Sequence, residues 1–68
     1  MNNQERAESA RKVLEYFGKV VSNDDDIETL SIDLICNIKH LLDLEELNQE
    51  RVFELADDFF NAEVESER

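Results

Sequence analysis

Apolar residues recur at three- and four-residue steps in three stretches of this chain, and each stretch predicts an amphipathic helix. In the first, from about residue 3 to residue 21, Ala7, Ala10, Leu14, Phe17 and Val21 share one face, and Val13, Tyr16 and Val20 widen it. Gly18 lies near the end of that stretch and is expected to loosen its last turn, since glycine costs about 1 kcal/mol relative to alanine inside a helix. In the second stretch, 27–44, Ile27, Leu30, Leu34, Ile38 and Leu41 form a stripe that Ile35 and Leu42 extend. Ile32 and Cys36 fall on its far side. This is the most apolar of the three and the expected centre of the fold. The third stretch, 49–64, carries Val52, Leu55, Ala56 and Phe59 in its stripe, with Phe53 and Phe60 on one flank.

The joints between these stretches are polar. Ser22 to Asp26 is the clear break, and it ends in carboxylates that suit the positive end of the next helix. Asp25 and Glu28 have the spacing of a capping box. Asn48 is the expected N-cap of the third helix, with Leu47 and Val52 at the spacing of a hydrophobic staple. Three helices with short links predict one all-α domain over residues 1–68, a small three-helix bundle.

A chain of 68 residues hides only about 60% of its unfolded surface when it folds alone. One cysteine allows no internal disulfide, and there is no Cys and His set for a structural zinc site. Phe53, Phe60 and Ile32 lie off the main stripes and form a candidate apolar interface. Whether a second copy, in a homodimer, or another protein covers them is left open by the sequence.

Charge sharpens the picture. Eighteen acidic residues against seven basic give a net −11, which disfavours direct contact with nucleic acid or an anionic membrane and favours a basic protein partner. The charge is uneven. In residues 1–21 four bases face three acids, a net of +1, whereas the remaining 47 residues carry a net of −12. The first helix is therefore expected to neutralise part of its neighbours. On the third helix Glu50, Glu54, Asp57, Asp58 and Glu65 project to one side, opposite the apolar stripe. Like charges three and four residues apart repel by a few tenths of a kcal/mol per pair. Such a row predicts either a highly soluble face or a mimic of a nucleic-acid backbone that fits a basic groove.

The polar face of the second helix carries Asp33, Cys36, His40 and Asp43. Cys and His four apart can share a metal ion, but one straight helix cannot converge four ligands. The expected reading is a hydrogen bond from His40 to Asp43 or an ion pair to a base of the first helix. No metal and no cofactor is expected. The sequence has no Gly-rich phosphate loop, no H-E-x-x-H and no nucleophile elbow, so an enzyme is not expected. The first residues lack an apolar run, and no stretch approaches the ~20 apolar residues of a membrane span. A cytoplasmic protein is expected.

The run from Asp33 through His40 to Asp43, followed by Val52 to Glu63, resembles a group of small helical proteins encoded by phages, prophages and mobile elements. Their pattern is D-L-x-x-x-L-x-H-x-x-D and then an amphipathic helix closing on aromatic-x-A-E. Asp33, His40, Asp43, Phe60 and Glu63 match it. Phe59 stands where those proteins usually carry a histidine. The resemblance covers about half of the chain and implies a genomic setting rather than a chemistry. In that setting, an acidic protein that blocks the basic groove of a restriction or CRISPR complex is the expected function. Glu50, Glu54, Asp57 and Asp58 would carry that contact, with Asp33 and Asp43 beside them.

Overall fold

The computed structural model describes residues 1–23 and 26–68. It is all-helical, with no strand among the described residues. Helix α1 spans Asn3–Phe17, α2 Ile27–Leu44 and α3 Gln49–Ser66. A π-helical segment, Gly18–Ser22, continues α1.

Each helix starts on a side-chain cap that offsets its unpaired N–H groups. Asn2 caps α1 in a full capping box: its Oδ1 accepts from the Glu5 N–H at 2.8 Å, and the Asn2 N–H donates to Glu5 Oε1 at 3.0 Å. Asn48 caps α3 as expected, accepting from the Arg51 N–H at 3.0 Å. Asp26 caps α2, accepting from both the N–H and the hydroxyl of Thr29. The backbone bond and then the hydroxyl bond hold its carboxyl below the ordinary value of 3.8. The expected Asp25–Glu28 box involves a residue outside the described ones.

Two joints need left-handed backbone. Asn23 has φ 61° and closes the π segment, donating its N–H to the Gly18 carbonyl at 2.8 Å. That five-residue bond widens the turn and rotates Val20 and Val21 off the expected face. Both are exposed. After α2, Glu46 has φ 58°. There the Leu47 N–H reaches the Leu42 carbonyl at 2.9 Å and the Glu46 N–H reaches Asp43 at 3.1 Å, a capping pair usually built on glycine. A side chain in this region costs about 1–2 kcal/mol. Glu46→Gly is expected to stabilise the protein by about 0.5–1 kcal/mol, read as a higher urea midpoint; a lower midpoint would show that the Glu46 side chain does more than tolerate the turn.

The core is small. Leu14 and Phe17 of α1 meet Leu30 of α2, with Leu34 packed against them. Leu42, near the turn into α3, is buried separately. Helix α3 contributes no buried residue. Its first turn follows the end of α2, and its last turn returns to the start of α1. There Arg6 Nε meets Glu63 Oε2 at 2.6 Å, the Asn3 N–H donates to Glu67 at 2.9 Å, and Asn3 Nδ2 donates to the Glu63 carbonyl at 2.9 Å. The helices thus meet in pairs near their ends and form three sides of a flat triangle, 36 × 29 × 17 Å.

This geometry corrects the expected stripes. On α3 the half-buried positions are Gln49, Phe53, Glu63 and Val64, while Val52, Leu55, Ala56 and Phe59 are exposed. At 100° per residue the apolar positions of α3 span roughly 200°, more than one side can bury. The part turned inward is the one that carries the polar contacts at Glu63. On α1, Ala7 and Ala10 are exposed because α1 and α2 diverge away from their contact at Leu14 and Phe17. On α2, Ile27, Ile38 and Leu41 remain exposed for the same reason.

Candidate protein-interaction surface

Helix α3 carries the acidic surface. Glu50, Glu54, Asp57 and Asp58 are all exposed, and among the described residues none of them has a hydrogen bond or ion pair. They run over nine residues, eight steps or about 12 Å along the axis at 1.5 Å per residue. Among the described residues three of the four arginines make ion pairs with other carboxylates, and the fourth, Arg51, is exposed on the ridge side of α3, three residues before Glu54. Arg6 takes Glu63, Arg11 takes Glu8 at 3.4 Å, and Arg68 takes Glu65 at 3.5 Å. Lys39 lies over the Phe53 ring at 5.4 Å. The expected neutralisation by the first helix is realised at Glu63, through Arg6, and not on the ridge.

Helix termini add to the negative field. Neither α2 nor α3 has a base in its last turn, although cations are favoured there by about 0.3–1 kcal/mol; Lys19 supplies one in the π segment that continues α1. Instead Asp43 closes α2, with Glu45 and Glu46 just beyond, and Glu65 closes α3. These carboxylates sit where a helix tolerates them least.

The two acidic residues expected beside the ridge are placed differently from each other. Asp33 is half-buried and accepts from the Ser22 hydroxyl at 3.2 Å, so it belongs to the contact between α2 and the π segment. Asp43 is exposed, ten residues further along α2, or about 15 Å. Cys36 is an exposed free thiol at the edge of a 190 Å³ cleft also lined by Phe17, Ser22 and Asp33. His40 is exposed, and it makes neither the expected hydrogen bond to Asp43 nor an ion pair with α1. Their spacings put them on one face of α2, where Asp33 is taken by Ser22 and His40 and Asp43 are left to solvent. Among the described residues no three His, Cys, Asp or Glu side chains could hold a metal ion.

The apolar candidates also separate. Phe53 is half-buried beneath Lys39. Phe60 and Ile32 are exposed at 63% and 62%, on different helices. The periodicity did not single out Leu55 and Phe59 as surface residues, because it placed both in the inward stripe. Arg6 and Glu63, which tie α1 to α3, also went unread. A pair so far apart in sequence leaves no local signal, whereas the N-x-x-E spacing of Asn2 and Glu5 was available.

The chain matches no protein-family model, no curated protein and no solved structure. Its surfaces therefore stand on their own chemistry. Among the described residues no helix is long and apolar enough to cross a membrane.

Proposed function

We propose that this protein is a non-catalytic binding module whose α3 ridge occupies a basic surface of another protein, of the kind that otherwise holds nucleic acid. The observation that carries this reading is the set of four exposed carboxylates, Glu50, Glu54, Asp57 and Asp58, left without neutralising partners while three arginines pair elsewhere. A side chain already paired would have to give up its partner before meeting a new one. These four meet a basic groove at no such cost, and with Arg51 as the one base beside them they present a predominantly negative field to it. The acids at the helix C-termini support the same reading, since solubility alone is served as well by placing acids elsewhere.

The resemblance to proteins of phages and mobile elements suggests the setting. There the protein acts inside the host cell as a stoichiometric inhibitor of a defence complex, of the CRISPR or restriction type, by standing in for its nucleic acid.

The test is competition. The protein is titrated against such a complex and its nucleic-acid ligand at low and high salt. Affinity is expected to fall steeply with salt, because screening shortens the reach of exposed charges. Glu54→Lys with Asp57→Lys is expected to weaken binding by at least about tenfold per substitution, with helix content unchanged by circular dichroism. Binding that survives both substitutions, or that persists at high salt, would sink the reading.

A further inference from the structure

The folded chain exposes too much surface to be complete by itself. A compact protein of 8.0 kDa exposes about 4,450 Å². This one exposes 5792 Å². Its radius of gyration is 13.5 Å, against about 11 Å for a compact domain of this length. The excess is apolar in character. Among the described residues only Leu14, Phe17, Leu30 and Leu42 are buried apolar side chains, while Ile35, Ile38 and Leu41 on α2 and Val52, Leu55 and Phe59 on α3 are at least a third exposed. Between α1 and α2 an open groove of about 300 Å³ is lined by Ala10, Val13, Leu14, Ser31, Leu34 and Ile35.

From this we infer that the working form is a homodimer in which a second copy of the chain covers the open apolar arcs of α2 and α3. Three physical features of the chain select a second copy. The first is area. An excess of about 1,300 Å² on each chain is about 2,600 Å² for a pair, within the range of obligate homodimers. The second is architecture. Stable domains pack at least two layers of secondary structure, and a body 17 Å thick is little more than one layer of helices. Two copies stacked face to face supply the missing layer. The third is charge. Two chains of net −11 can associate only if their acids point away from the seam. On α3 the ridge lies about 150° round the helix from Val52, Leu55 and Phe59. Stacking on that arc leaves both ridges outward, so the inference does not depend on what the ridge binds.

Sedimentation equilibrium on the full chain decides it. The native protein is expected at twice 8.0 kDa at both low and high salt, since an apolar seam is not screened. Its thermal midpoint should rise with protein concentration, as it does when folding and association are linked. Leu55→Glu with Phe59→Glu should abolish the dimer. Because that variant can also lose its fold, the concentration dependence of the unmodified protein stands as a separate reading. A monomer of 8.0 kDa with a concentration-independent midpoint overturns the proposal, and so does a dimer that survives both substitutions.

Discussion

Replacing Leu30 by alanine will cost about 2–5 kcal/mol, the range for a buried leucine whose cavity cannot close. Leu30 is 2% exposed, the most buried residue of the cluster it forms with Leu14 and Phe17. A chain of this length has a total stability of roughly 3–10 kcal/mol on the usual per-residue scale. The substitution therefore removes a large fraction of it. The surroundings cannot relax to fill the gap, because α1 and α2 diverge on either side of the contact and Ala7 and Ala10 are already exposed. Two positions further on, Ile32 is 62% exposed and Ile32→Ala should stay within about 0.5 kcal/mol. Urea denaturation of both variants at one fixed protein concentration makes the comparison. A Leu30→Ala shift below about 1 kcal/mol would mean that the contact of α1 with α2 is not what holds the fold.

Gly18→Leu is expected to destabilise by about 1–3 kcal/mol, the cost of forcing a side chain into a filled contact. Gly18 is buried at the junction of α1 and the π segment, yet its φ of −62° and ψ of −37° are ordinary helical values. Glycine is not there for a left-handed turn. It is buried in the segment that meets α2, where Ser22 bonds to Asp33 four residues further on, and a close approach of α2 to this backbone is what the substitution tests. Leucine brings up to about 1 kcal/mol of better helix propensity, which opposes the effect. A net loss therefore means that packing outweighs propensity at this position. Thermal unfolding measures the balance. A neutral or stabilising result would place the close approach elsewhere and make Gly18 an ordinary weak spot in a helix.

The large exposed surface and the acidic ridge belong to one design. A triangle of helices that touch near their ends buries few side chains, so it presents long helix faces to its surroundings. On α3 one such face is acidic and another is apolar. The expected three-helix bundle is thus an open one: it buries little of α3 and leaves the apolar arc of that helix exposed beside the ridge.

The sequence by itself determined the three helices and most of their limits. Periodicity placed α2 at 27–44 and the start of α3 at 49, and Asn48 was legible as a cap, because these features depend on residues within one or two turns of each other. It also determined the ridge, since helical spacing alone puts Glu50, Glu54, Asp57 and Asp58 on one side. The tertiary structure decided which apolar side faces inward. Phe53 and Val64 turned in, while Leu55 and Phe59 turned out, and the apolar pattern alone does not distinguish them. The inward side is the one on which Arg6 meets Glu63 and Asn3 meets Glu67, contacts between opposite ends of the chain. A stripe wider than one contact can cover has no preferred inner edge until a distant partner selects it.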